Sequence, residues 1–241
     1  MQNLIDIHSH ILPNLDDGSA DIAASVEICR AVINQGVGAI IATPHAFDHV
    51  FNISIARRDQ ALGVLRRELD RQNLKINIFT GFECRINGGL IEALKEQPGY
   101  TLCGNGKYFL LEFDPLLIPP DFEHFLFSAQ LSGLQPILVH PERHKEISRN
   151  INLLEKFIEK GLQIQLTAGS VIGLFGYETQ DIARKMIKRN FVHYVASDIH
   201  PTVGGNYKLR EAYNNVCDLS GENVADNLFC LNPMQILNFR R

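Results

Sequence analysis

Apolar run after apolar run in this chain ends on a histidine or a carboxylate. The first reads Leu4-Ile5-Asp6-Ile7-His8-Ser9-His10. Side chains alternate faces along a strand, so His8 and His10 share one face and can chelate a single ion. Taken alone, the pair is explained as well by two core or surface histidines. The ending recurs, however. Ile40-Ile41-Ala42-Thr43-Pro44-His45 closes on a histidine, and Ile78-Phe79-Thr80-Gly81-Phe82-Glu83 on a glutamate. Glu112 sits at the end of Phe109-Leu110-Leu111, His140 at the end of Ile137-Leu138-Val139, and Asp198 and His200 form a second spaced pair behind Tyr194-Val195-Ala196-Ser197. Strand ends that merely face solvent account for one such case, not for the repetition. Imidazole nitrogens and carboxylate oxygens gathered at one place suit manganese, iron or zinc, and the lack of thiolates argues against a structural zinc site. His8, His10, His45, Glu83, Glu112, His140, Asp198 and His200 are therefore read as metal ligands. Asp16-Asp17-Gly18 has two readings on spacing alone: a polar turn before a helix capped by Ser19, or a further ligand. His49, His124, His144 and His193 lack the strand-end setting and are expected to be structural or surface residues.

Other hydrolytic devices are missing. No cysteine is followed six positions later by arginine, and neither a G-x-S-x-G elbow nor a G-x-x-x-x-G-K-[ST] loop occurs. If the chain cleaves phosphate esters, its nucleophile comes from metal-bound water.

Such ligands need strands to carry them. Short apolar runs predict strands over 4–8, 38–43, 75–82, 108–113, 135–140, 162–167 and 191–197. Helical spacing lies between them: Ile22, Val26, Cys29 and Ile33; Ile55, Leu62, Leu65 and Leu69; Phe122, Phe125 and Ala129; Ile151, Leu154 and Phe157; Ile182 and Met186. Gly36, Gly133 and Gly161 fall where helices should stop. Strands alternating with helices imply a parallel α/β sheet. A dinucleotide-binding sheet needs a glycine-rich turn after its first strand, where this chain has His-Ser-His. A barrel of about seven or eight strands, with its functional groups at the C-terminal strand ends, fits better.

With 241 residues and 45% of them hydrophobic, the chain can fill one such domain. A net charge of −4 argues against nucleic acid as a partner. No secretory signal and no membrane-length apolar run is evident, and five scattered cysteines without a C-x-x-C pair read as reduced thiols. A cytoplasmic protein is expected. The arginines at 57, 58, 66, 67 and 71 are expected to line a solvated helix face.

As a set, Asp-Ile-His-Ser-His-Ile, Asp-Asp-Gly, Thr-Pro-His, Gly-Phe-Glu-Cys-Arg, His-Pro-Glu-Arg and Ser-Asp-Ile-His resemble the polymerase-and-histidinol-phosphatase (PHP) superfamily. Within it they are most similar to the bacterial tyrosine phosphatases of capsule and exopolysaccharide gene clusters. The likeness runs from Asp6 to His200 in order. It implies a single PHP-type phosphoesterase domain over 1–241, built as a distorted (β/α)7 TIM-like barrel. It also implies two to three divalent metal ions, manganese or iron with zinc possible. By motif, His8, His10, Glu83 and Asp198 would hold one ion. Glu83, Glu112 and His140 would hold a second, and Asp17, His45 and His200 a third. Arg143 matches an arginine that contacts phosphate, and Arg85 is a weaker match of the same kind. The substrate implied is a phosphotyrosine-bearing protein, such as the tail of a tyrosine kinase of polysaccharide synthesis or export. Competing readings are a PHP phosphatase of a small metabolite such as histidinol phosphate, and a non-catalytic, metal-bound regulatory module. One position departs from the pattern: a further arginine expected five residues beyond His200 is replaced by Gly205, leaving Lys208 or Arg210 to substitute.

Overall fold

The structure is a computed structural model that describes residues 3–200 and 207–239; Gly205 lies outside them. The strands are β1 (Leu4–Ser9), β2 (Val37–Ala42), β3 (His45–Ala46), β4 (Asn77–Thr80), β5 (Glu83–Arg85), β6 (Tyr108–Glu112), β7 (Gln135–Val139), β8 (Gln163–Thr167) and β9 (Tyr194–Ala196). Every strand pairing is parallel, as alternation with helices demands. Each expected strand is present, with ends shifted by up to three residues.

Two chain passes break where the sequence reading ran straight on. Pro44 lacks an N–H and interrupts the second pass, so β3 resumes beyond it. Gly81-Phe82 divides the third pass in the same way. Gly81 N–H donates to Ala42 O at 2.9 Å and Glu83 N–H to Pro44 O at 3.2 Å, which carries the two passes together across the break. The result is a three-stranded sheet, β1-β2-β4, and a six-stranded sheet, β3-β5-β6-β7-β8-β9. The expected closed barrel therefore appears as parallel α/β with its hydrogen bonding divided between two sheets. First and last passes meet through one bridge, Ser9 to Ile199, supported by Asp198 N–H to His8 O at 3.0 Å.

Alternation along the strands builds two apolar clusters. Ile5 and Ile7, Ala39 and Ile41, Tyr108 and Leu110, Ile137 and Val139, and Tyr194 and Ala196 all enter one cluster. Strands of both sheets contribute, so the sheets share an apolar interior. The intervening Ile40, Phe109, Leu111, Leu138 and Val195 pack outward against the helices. Among those helices, α1 (Ile22–Asn34) buries Val26, Cys29 and Val32, and α2 (Ile55–Arg71) buries Leu62, Leu65 and Leu69. Full burial of one such leucine is worth ~1.5–3 kcal/mol. The cap of α1 is Asp21, whose carboxylate accepts from Ala24 N–H at 2.8 Å; Ser19 does not cap it. Gly36 and Gly133 take φ of +71°, a left-handed turn that glycine enters at little cost, and helices stop just before both. Of the arginines of α2, Arg57, Arg66, Arg67 and Arg71 are exposed, as a solvated face requires, while Arg58 is buried, reaching Gly99 O and lying over the Phe82 ring.

Candidate metal centre

The apolar interior ends in a polar floor. Along β6, Tyr108 and Leu110 face inward, so Glu112 does too; Tyr194 and Ala196 bring in Asp198 by the same alternation. His8 requires more, because Ile5 and Ile7 already use the inward positions of β1. The β1–β2 pairing has a register irregularity between Asp6 and Ser9, and such bulges re-aim a strand end. His140 follows inward Val139 and returns to the site through a left-handed backbone, φ +38°. Asp198 has φ +49°. Positive φ outside glycine carries strain that surrounding contacts must hold, and both residues sit in this cluster.

Glu83 lies at the centre and is almost wholly buried. Its Oε2 is 3.3 Å from His8 Nε2, 3.2 Å from His10 Nε2 and 3.2 Å from His45 Nδ1; its Oε1 is 2.9 Å from His140 Nε2. Asp198 Oδ1 stands 3.5 Å from both His8 Nε2 and His200 Nδ1. Asp17 Oδ1 lies 3.4 Å from His45 Nε2 and 3.2 Å from His200 Nε2. Three overlapping groups present ligand atoms within 4.8 Å of one another: His10, Asp17, His45 and His200; His8, His10 and Asp198; His45, Glu83 and Glu112. All nine sequence-identified ligand candidates thus converge. The grouping differs in detail: His10 serves two groups, and His45 joins Glu83 and Glu112 where the resemblance implied His140.

Two features fit this donor set to cations. His45 Nδ1 is buried without an aligned hydrogen bond, 3.2 Å from Glu83 Oε2, and His8 Nε2 and His10 Nε2 face each other at 3.2 Å. Lone pairs crowded together need a proton or a metal between them. The outer ring nitrogens are also tied down. His8 Nδ1 donates to Gln165 Oε1 at 2.8 Å, His10 Nδ1 to Asp16 Oδ2 at 2.9 Å, and His200 Nδ1 to the Asp198 carbonyl at 3.0 Å. Each bond leaves Nε2 as the free ligand atom, as outer partners of metal-binding histidines do.

Electrostatics follow the crowding. Burial opposes charge on His10, but Asp16 and Glu83 outweigh it and raise its pKa well above the usual imidazole range. Against a similar burial penalty, Glu83, with Asp17 and others, lifts His45 to about 9. Burial would raise Glu83, yet the histidines around it hold it well below the ordinary carboxylate range. Burial, and then the Glu83 charge, push Glu112 up to about 7. Asp17 is lowered by its bonds to His200 and His45. In the absence of cations His10, His45 and His140 are thus biased towards their protonated forms, and a metal would have to displace those protons.

Arg143 NH1 donates to Asp198 Oδ2 at 2.8 Å while its guanidinium lies 5.0 Å over the Phe175 ring. It lines a cleft of about 210 Å³ with Asp17, Thr167, Phe175, His200 and Lys208. Arg85 is placed differently. Its fork is spent on Asp48 at 3.1 Å, on Glu112 at 3.1 Å and on the Phe113 carbonyl. Lys208 borders the cleft, whereas Arg210 is held by the Gln35 carbonyl at 3.1 Å. His144 accepts from Ile147 N–H and His193 from Ile164 N–H, in structural roles as expected; His49 and His124 enter no ligand group among the described residues. Sequence reasoning missed the outer partners Asp16 and Gln165. Gln165 did leave a signal, as an amide between Ile164 and Leu166 in a buried strand.

Known proteins resemble this chain over nearly its whole length. A family model described as "Capsular polysaccharide synthesis, CpsB/CapC" matches residues 4–238. The chain is 37% identical over 209 residues to the tyrosine-protein phosphatase YwqE of Bacillus subtilis, covering 87% of this chain and 82% of that protein. It is 28% identical over 239 residues to the tyrosine-protein phosphatase CpsB of Streptococcus agalactiae, covering 97% and 98%. A crystal structure from a study of YwqE from Bacillus subtilis and CpsB from Streptococcus pneumoniae, described as unique metal-dependent tyrosine phosphatases, superposes with a TM-score of 0.92 at 34% identity, covering 99% of this chain and 96% of that one.

Proposed function

Since the chain belongs to the CpsB/CapC family of capsular polysaccharide synthesis, we propose that its strand-end cluster is the active site of a metal-dependent protein-tyrosine phosphatase. The observation that carries this reading is the convergence of three overlapping His/Asp/Glu groups beside a cleft lined by Arg143. His8, His10 and Asp198 would hold one ion, with Glu83 in reach; Glu83, Glu112 and His140 or His45 a second; Asp17, His45 and His200 a third. The donor set favours manganese or iron, with zinc compatible. We read the seven chain passes as a distorted (β/α)7 barrel of PHP type and 1–241 as one domain, supported by the apolar interior that both sheets share. The substrate we propose is a phosphotyrosine protein, in particular the tail of a tyrosine kinase of polysaccharide synthesis or export. A cytoplasmic setting fits five unpaired cysteines; among the described residues no helix is long and apolar enough to cross a membrane.

The chemistry such cations supply is acidification of a coordinated water and neutralisation of phosphoryl charge. The chain's own residues do the rest. Arg143 offers a planar fork that matches two phosphoryl oxygens, held in place by Asp198 and Phe175. Lys208 borders the cleft with its ammonium paired to Glu211 at 2.9 Å, and Leu174 and Phe175 give an apolar wall for an aryl ring. Arg85 orients Glu112 rather than facing the cleft. A tyrosine leaving group, with a phenol pKa of about 10, needs less protonation than a serine alkoxide. Comparing kcat/KM for phosphotyrosine peptides, the matching phosphoserine peptides and histidinol phosphate tests the reading. Phosphotyrosine should lead. Histidinol phosphate as the best substrate would replace it with a metabolite phosphatase, and metal uptake without any hydrolysis with a regulatory module.

A further inference from the structure

We infer that the loops around the metal centre form an apolar rim that grips hydrophobic side chains flanking the phosphotyrosine of a protein substrate; this rests on the phosphatase reading above. Val50, Leu116, Leu117, Leu174 and Tyr177 are large apolar residues 49–78% exposed. They occupy the segments that follow β3, β6 and β8, the strand ends on which the site is built. Half of the large exposed apolar side chains among the described residues thus follow strands that carry the site.

Their placement ties four of the five to the site. Beside Val50, the Phe51 ring stacks on His45, with centroids 5.9 Å apart and planes 14° apart. Leu174 lines the cleft that Arg143 and Lys208 share. Leu116 and Leu117 lie on a loop pinned to the helix Lys145–Arg149, just beyond Arg143. Lys145 N–H donates to Pro115 O at 3.0 Å, and Ile118 N–H to Glu146 Oε2 at 2.9 Å. The loop is held while its leucines point into water.

Charge and reach select the occupant. Arg143 on the cleft wall calls for an anion; the apolar border calls for greasy neighbours around it. A phosphotyrosine in an extended segment satisfies both, because successive residues advance about 3.3 Å and alternate residues face the surface. A small phosphorylated metabolite filling the cleft would meet Leu174 alone of the five, since the other four do not line it. Exposed apolar patches continuous with a polar site are a mark of protein recognition.

The test uses the metal-loaded full chain and the variants Leu116→Ser, Leu117→Ser and Tyr177→Ser. Two phosphotyrosine peptides are compared, one with Leu and Phe on both sides of the phosphotyrosine and one with Ser and Gln, together with p-nitrophenyl phosphate. Wild type should prefer the apolar peptide by roughly tenfold or more in kcat/KM, mainly through KM, as partial burial of a leucine provides. The variants should lose that preference and keep the p-nitrophenyl phosphate rate, metal content and Tm. Equal rates on both peptides for the wild type would overturn the inference. So would a variant that changes sedimentation but not peptide kinetics, which would make the rim a contact between copies of the chain. Failure of every phosphotyrosine peptide, with another phosphoester hydrolysed well, would instead remove the phosphatase assignment beneath it.

Discussion

Replacing Arg143 by Ala separates catalysis from stability by magnitude. The side chain is 42% exposed, so its 2.8 Å pair with Asp198 is screened by solvent and contributes at most about 1 kcal/mol to folding. Asp198 keeps His8 and His200 at 3.5 Å and is not left as an uncompensated buried charge. Loss of a donor to the transition-state phosphoryl oxygens costs far more, about 10²–10³-fold in kcat or ~2.7–4 kcal/mol. The variant should therefore bind its full metal complement, melt within a few degrees of wild type, and lose two to three orders of magnitude on p-nitrophenyl phosphate and phosphotyrosine peptide alike. Lys at 143 should restore part of the rate, because it supplies the charge without the fork. Metal analysis, thermal melts and steady-state kinetics on one set of preparations decide it. If metal content falls in step with the rate, Arg143 acts by holding Asp198, and the phosphate-binding role is refuted.

The protonation pattern predicts that metal uptake releases protons. His45, at about 9 without metal, is cationic at neutral pH and must lose its proton to bind, so apparent affinity should rise with pH towards 9; calorimetry in buffers of different ionisation enthalpy should show the release, and none would contradict the ligand role. The same raised pKa stabilises the metal-free fold fully below about 6.5, and that contribution is lost as pH rises through 9; Tm of the chelated protein should fall over that window, and less so in His45→Gln. Burial pushes the Cys84 thiol far up and Cys29 and Cys103 to about 12, so none is a thiolate nucleophile at neutral pH; Cys84→Ala should keep most activity, and its loss with metals retained would point to sulfur chemistry. A Cβ on Gly18 would overlap the carbonyl oxygen and Cβ of His10; Gly18→Ala should lower metal content and rate together, while unchanged metal content would show that His10 is not set by that turn.

The strand-end ligand candidates were legible because alternation and termination leave marks in one dimension: apolar runs, then His or Glu. His45 could be read although its strand breaks at Pro44, since the break moves the residue to another sheet without removing it from the site. What stayed hidden depends on contacts between distant segments. Gln165 meets His8 across 157 positions, and Asp16 both bonds His10 and accepts the His45 N–H. The left-handed turns at His140 and Asp198 are properties of the assembled site, since positive φ is uncommon for any residue but glycine. Arg85 and Arg143 look alike in their motifs, and only packing shows one spent on Asp48 and Glu112 and the other facing the cleft. Division of the strands into two sheets was equally invisible, because it follows from where ladders fail.

Metal stoichiometry measured alongside rate tests the central claim most directly. Chelated protein is titrated with Mn²⁺, and bound metal and phosphotyrosine-peptide hydrolysis are followed in the same samples. The account predicts negligible hydrolysis without metal, recovery in step with two to three ions bound per chain, and parallel loss of both in His8→Ala and His140→Ala. Full hydrolysis by the metal-free protein would contradict it.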